Sequence, residues 1–186
     1  TGGANLEGAV RKPFAPGWTA AGYLSANKDI EAYWNDNRSQ LAARYGALIA
    51  PLAGHTDLVV LPETFTSGFS NEAILRAEAM DGPSTHWMRH QAARVGAVVT
   101  GSVQIRDGDG VYNRLLWATP DGELRHYDKR HLFRMANEHE RYAAGRDRQV
   151  FELKGWRVCP LVCYDLRFPV FIRNRFASDV AGRFDY

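Results

Sequence analysis

Three residues have types and settings that could do covalent chemistry: Cys163, Glu63 and Lys129. Cys163 lies in Val162-Cys163-Tyr164-Asp165-Leu166-Arg167-Phe168-Pro169, where an apolar run gives way to a helix start near Pro169. A cysteine at such a strand end can present its sulfur into a cleft while the next backbone N–H groups face the same space, which suits a nucleophile. The plainer reading is a buried structural cysteine, because free cysteine is among the most buried residue types. Cys159 keeps that plainer reading. Glu63, in Leu61-Pro62-Glu63-Thr64-Phe65, directly follows an apolar strand, where partial burial tunes a carboxyl group for proton transfer. Lys129, in Tyr127-Asp128-Lys129-Arg130-His131-Leu132-Phe133, could supply a fixed positive charge for an oxyanion. Taken singly, a solvated loop glutamate and a surface lysine are the ordinary alternatives.

The elements that must position these groups can be read from periodicity. From about Trp34, the residues Leu41, Tyr45, Leu48, Ile49 and Leu52 recur at helical spacing and define one apolar face. Leu58 to Leu61 is a short apolar strand closed by Pro62. Asp81-Gly82-Pro83 makes a turn, Ser84 is a candidate N-cap, and Trp87, Met88, Gln91, Ala92 and Val95 continue as an amphipathic helix. Ala97 to Ile105 and Val111 to Ala118 read as strands of a hairpin joined by Arg106 to Gly110. A turn at Thr119 to Gly122 leads into a strand at Glu123 to Tyr127. A long polar loop runs from Asp128 to Arg148, and two more strands follow, Val150 to Leu153 and Arg157 to Val162, turning at Lys154-Gly155. This order predicts an α/β chain with a mixed sheet and helices on one face. Residues 1–30, rich in Gly, Ala and Pro, read as an irregular arm.

Composition narrows the partners. The 23 Lys and Arg residues stand against 21 Asp and Glu for a net +2, scattered rather than gathered, so neither nucleic acid nor an anionic membrane is an expected partner. No stretch approaches the roughly 18 apolar residues a membrane helix needs, and no signal pattern opens the chain. Cys159 and Cys163 in one strand would stand about 13 Å apart at about 3.3 Å per residue, too far for a disulfide. Two unpaired cysteines suit a reducing compartment, and the expected location is the cytoplasm. With no His/Cys cluster at metal-ligand spacing and no Gly-rich phosphate loop, neither metal nor cofactor is expected.

Taken together, Leu-Pro-Glu at Glu63, Asp-Lys-Arg-His-Leu-Phe at Lys129 and Cys-Tyr-Asp-Leu-Arg-Phe-Pro at Cys163 resemble the three signature segments of the nitrilase superfamily, in the same chain order. The resemblance implies an α-β-β-α sandwich with a Glu63, Lys129 and Cys163 triad. It also implies substrate binding by Asn113, which with Tyr112 resembles the family's Tyr-Asn pair, and supporting roles for Glu138, the family's second glutamate, and for the Tyr164 N–H. Glu63-Thr64-Phe65-Thr66-Ser67-Gly68-Phe69 looks like the bacterial omega-amidase branch, which implies water and a small amide as reactants, a 2-oxo acid amide such as 2-oxoglutaramate. Phe65 and Phe69 could wall a pocket beside Glu63. Arg167 or Arg173 could meet a substrate carboxylate, although Arg167 could instead pair with a carboxylate that braces the cysteine loop. His131 is expected to pack the loop.

The resemblance runs from about Trp34 to Arg175, which makes residues 31–186 a partial carbon-nitrogen hydrolase domain. The family's opening strand has no counterpart in residues 1–30, and Ala177 to Tyr186 diverges where the family continues, so an incomplete sandwich is expected. Uncovered sheet edges would then favour association, and members of the family usually form homodimers or higher homo-oligomers. Two other functions fit the same residues. One is another branch, such as an N-carbamoyl amidohydrolase or a nitrilase; the other is a catalytically silent fragment that serves as an assembly module.

Overall fold

The computed structural model describes residues 38–69 and 71–174; the arm expected over residues 1–30 and the divergent tail lie outside them. Helix α1 spans Arg38–Ile49 and tightens into a 3-10 turn, Ala50–Leu52, where Pro51 ends the α-helical ladder. Leu41, Tyr45 and Ile49, spaced four apart, are buried on one face, with Leu48 and Leu52 packed at its margin. Helix α2 spans Pro83–Val95 and closes on Gly96, whose φ of 69° is the left-handed conformation that favours glycine. Met88, Gln91, Ala92 and Val95 are buried, and fully burying a side chain such as Met88 contributes about 1.5–3 kcal/mol.

The helix start differs from the sequence reading. Gly82, not Ser84, is the N-cap, and Ser84 lies inside the first turn. The capping oxygens come from the buried Glu78 carboxylate, which accepts the Ser84 N–H at 2.8 Å and the Ser84 hydroxyl at 2.6 Å. A carboxylate here satisfies an orphan donor and complements the helix dipole, which a serine hydroxyl does less well.

Strands β1 (Leu58–Val60), β2 (Val98–Asp107), β3 (Gly110–Ala118) and β4 (Leu124–Asp128) form one mixed sheet in the order β1-β2-β3-β4. β1 runs parallel to β2, and the other neighbours are antiparallel. The hairpin is tighter than expected: pairing continues through Asp107 and Gly110, leaving Gly108 and Asp109 as the loop. Alternation along these strands sorts the core. Val99, Val103, Ile105, Leu116 and Ala118 face α1 and α2, whereas Val98, Leu115, Trp117 and Tyr127 face the other way.

That second face meets Phe151 and Leu153 of β5 (Phe151–Leu153), which pairs with β6 (Trp156–Val158) in a separate antiparallel sheet. Lys154 and Gly155 turn between them with φ of 48° and 84°. β6 stops at Val158 rather than reaching Val162, because Pro160 has no N–H to donate and no described strand pairs with residues 159–162. Helices, a four-stranded sheet and a second sheet thus give three layers of an α-β-β-α sandwich. Among the described residues no helix is long and apolar enough to cross a membrane.

Candidate active site

Each chemical side chain is set by a break in regular structure. Beyond β1 the chain is stitched along β2: the Leu61 N–H donates to Thr100 O at 2.7 Å and the Thr64 N–H to Ser102 Oγ at 2.8 Å. Gly101 permits this approach, since a Cβ there would lie 2.6 Å from Leu61 Cβ. Glu63 projects from this turn. Lys129 follows β4, and its N–H donates to Asn113 O at 3.0 Å, so neighbouring strands deliver Asn113 and Lys129 together. Glu138 opens a 3-10 turn, Glu138–Glu140, and Cys163 opens another, Cys163–Arg167.

The backbone is strained at these points. Four non-glycine residues among those described have positive φ: Thr64 at 46°, Asn137 at 56°, Lys154 at 48° and Cys163 at 45°. Apart from Lys154 in its hairpin, they are Cys163 itself and the immediate neighbours of Glu63 and Glu138. Left-handed backbone costs a residue with a Cβ about 1–3 kcal/mol and persists where surrounding contacts over-determine it, commonly at functional sites.

Lys129 is the hub. Its side chain is 1% exposed, and Nζ donates to Glu63 Oε1 at 2.7 Å and to Glu138 Oε2 and Oε1 at 2.9 and 3.1 Å. Asn113 Nδ2 donates to the same Glu63 Oε1 at 2.8 Å and to Glu138 Oε1 at 3.1 Å. Glu138 has no exposed surface and also accepts the Phe133 N–H at 2.6 Å. Burial alone would depress the Lys129 pKa, but Glu63 and Glu138 outweigh it and hold the ammonium above the ordinary lysine range. The ring of Phe69, itself 42% exposed, lies 5.4 Å from this ammonium.

Cys163 is exposed, and Glu63 and Lys129 are the charged groups that act most strongly on its thiol. Desolvation, then the negative charge of Glu63, push the thiol pKa up, and Lys129 only partly opposes them. At neutral pH the sulfur therefore carries its proton and faces a carboxylate that can take it. The Tyr164 N–H belongs to the first turn of the 3-10 segment, where no intrahelical acceptor is available.

The structure brings Glu63, Lys129, Cys163, Glu138, Asn113 and Phe69 together, and separates others. Phe65 is buried in the helix-side core, with ring centroids 5.8 Å from Tyr45 and 5.7 Å from Trp87, rather than walling a pocket beside Glu63. A cavity of about 410 Å³ lined by Leu41, Phe65, Pro83 and Trp87 is likewise away from the charged groups. Asn113 is buried, with its amide nitrogen committed to two carboxylates rather than offered to a ligand. Arg167 and Arg173 are exposed, and among the described residues Arg167 forms no ion pair that would brace the cysteine turn.

That brace is Asp165, which the sequence reading passed over. Its Oδ1 accepts the His131 N–H at 2.9 Å and lies 2.9 Å from His131 Nδ1. Oδ2 accepts the Tyr127 hydroxyl at 2.7 Å and the Val162 N–H at 3.1 Å. His131 packs as expected, its ring stacked 3.7 Å from that of Phe168. The available signal was an acidic residue two positions after a candidate nucleophile in an otherwise apolar setting. Among the described residues no cluster of His, Cys, Asp or Glu could hold a metal ion.

A buried lysine shared by two glutamates beside a strained, exposed cysteine, on a layered α/β frame, defines a class of hydrolase, and the comparisons agree: the carbon-nitrogen hydrolase family model matches residues 23–180, and the chain belongs to that family. Within it, the chain is 44% identical to the omega-amidase YafV of Yersinia enterocolitica over 152 residues, covering 80% of this chain and 57% of that protein. It is 38% identical to the 2-oxoglutaramate amidase of Bacillus subtilis over 123 residues, covering 64% and 48%. A CN-hydrolase superfamily protein from Xanthomonas campestris, solved with an arsenic adduct in its active site, superposes with a TM-score of 0.76 at 66% identity, over 80% of this chain and 56% of that one. The chain spans about half the length of the curated relatives it matches.

Proposed function

We propose that this chain carries the cysteine chemistry of a small-amide hydrolase acting on a 2-oxo acid ω-amide such as 2-oxoglutaramate. Glu63 takes the Cys163 proton as the sulfur attacks the amide carbon. The Lys129 ammonium and the Tyr164 N–H receive the developing oxyanion, a role in which a preorganised donor supplies about 2.7–4 kcal/mol. Glu63 then gives its proton to the departing ammonia. Water, activated by the same carboxylate, hydrolyses the thioester and frees the carboxylic acid. Glu138 keeps Lys129 charged and aimed throughout.

One observation carries this reading: Glu63 is shared. Its Oε1 is held by Lys129 and Asn113, so the carboxylate is fixed while its side chain remains 20% exposed. The similarity to the omega-amidase YafV and to the 2-oxoglutaramate amidase supports the substrate class. Phe69, beside Lys129, is the remaining candidate for a pocket wall, and exposed Arg167 the candidate partner for a substrate carboxylate.

Ammonia release from 2-oxoglutaramate, measured for the parent and for Cys163→Ala, tests the proposal. Release by the parent alone is the expected result. A cooperatively folded parent that releases none sinks it. Homo-oligomeric association and a cytoplasmic setting go with this reading, and sedimentation velocity checks the former.

A further inference from the structure

We propose that Asp165 is a positioning residue: a buried carboxylate that clamps the turn carrying Cys163 to the segment carrying Lys129, and so sets the distance between nucleophile and ammonium. This rests on the amidase reading of the same site. The argument is one of connectivity. Tyr127 and His131 lie two residues before and two residues after Lys129, and both bond to Asp165. Val162, immediately before Cys163, bonds to it too, and the Asp165 N–H returns a bond to Val162 O at 3.1 Å. One side chain therefore fixes the backbone at His131, past the lysine, and at Val162, leading into the cysteine, and holds the Tyr127 hydroxyl, which itself accepts the Arg130 N–H at 3.1 Å.

Asp165 has no exposed surface, and its two oxygens are fully used by these donors. A buried carboxylate so placed is costly unless every donor is aligned, which makes the two segments' relative position a condition of its burial. Aromatic packing continues the same seam. The His131 ring lies between Phe168, at 3.7 Å, and Phe171, at 4.9 Å, while Tyr164 meets Phe133 at 5.0 Å. The His131 contacts join the lysine loop to the segment just after the cysteine turn, and the Phe133 contact joins it to the turn itself. Asp165 makes no contact with the sulfur; it acts through backbone, which also holds Cys163 at its positive φ.

The test compares the parent with Asp165→Asn and Tyr127→Phe. Three quantities are read: cooperative thermal unfolding, ammonia release from 2-oxoglutaramate, and the pH dependence of Cys163 alkylation by iodoacetamide, followed by mass spectrometry of its peptide. In Asp165→Asn an amide N–H₂ replaces one acceptor and meets a donor. We expect kcat to fall by roughly 100-fold, the scale for a misplacement of about 1 Å, with KM held. We also expect the alkylation profile to move down toward that of an ordinary thiol as Cys163 drifts from Glu63. Tyr127→Phe, which removes one donor, should do the same to a smaller extent, and it decides the matter if Asp165→Asn does not fold. Folded variants that keep the parent's kcat and alkylation profile, whatever their melting temperature, overturn the clamp. A parent that releases no ammonia, with alkylation profiles that still move in the variants, supports the clamp and sinks the amidase reading alone.

Discussion

Two buried cations occupy neighbouring positions in this sheet, and they are built differently. Arg114, one residue after Asn113, forks onto Asp128 through Nε at 2.6 Å and a terminal nitrogen at 2.9 Å, and reaches Asp107 at 3.0 Å. All three residues belong to β2, β3 and β4, so regular ladder geometry sets the cluster. Lys129, one residue after Asp128, is held by Glu63 and Glu138, both from turns with a strained neighbour. The arginine's planar fork closes its cluster, while the lysine is a point charge whose shared Glu63 also faces a thiol. A charge cluster assembled by strands is a fastening; one assembled by irregular turns around an exposed cysteine has the features of a reaction centre.

The largest expected contrast comes from removing each cation. Lys129→Met should lower amide turnover by about 100- to 1,000-fold, the scale for losing an oxyanion donor, in steady-state kinetics. Arg114→Met should cost about 3–5 kcal/mol in urea unfolding, toward the lower end because Asp107 is 59% exposed, while activity per folded molecule stays at the parent level. Equal loss of activity in both would erase the distinction.

Glu138→Gln should be milder. It keeps the shape but weakens charge-assisted bonds worth about 1.5–3 kcal/mol each, so kcat falls and the fold holds, as read by turnover and circular dichroism together. Asp107→Asn, at the exposed end of the other cluster, should change stability by no more than about 1 kcal/mol and leave turnover alone.

A pH titration of stability sharpens the comparison from the structural side. Burial raises the Cys159 thiol to about 11 and the Tyr45 hydroxyl to about 12. Both folded values lie above the ordinary ones of about 8.5 and 10. The stability they contribute is therefore complete below those ordinary values and is lost as pH rises through 11 and 12. Denaturant midpoints should fall above about pH 9, in Cys163→Ala as in the parent.

Much of this was legible in the residues. The hairpin strands at Ala97 to Ile105 and Val111 to Ala118 and the apolar helical spacing of α1 and α2 were readable because such patterns are local, whereas which strand residues face which layer came only with the fold. Glu63, Lys129 and Cys163 were ambiguous singly and stood out only through the resemblance of their three segments, in order, to the family's signatures. What escaped was set by distant partners. Glu78 rather than Ser84 serves the first turn of α2, from across a turn; Phe65 joins Tyr45 and Trp87 rather than its chain neighbour Glu63; Asp165 gains its meaning only when β4 and the cysteine turn meet. Positive φ at Thr64, Asn137 and Cys163 was equally hidden, since none of those positions is glycine and tertiary contacts impose the strain.

The central claim is that Cys163 sulfur, beside the Glu63–Lys129 pair, carries the acyl group during turnover. Acid-quenching the chain during reaction with 2-oxoglutaramate and mapping its peptides by mass spectrometry reads this directly. The account predicts an adduct of substrate less ammonia on the Cys163 peptide, absent from Cys163→Ala and formed far more slowly in Glu63→Gln, which lacks the base for the attack. Ammonia formed with no adduct on Cys163, or with the adduct on Cys159, would contradict it.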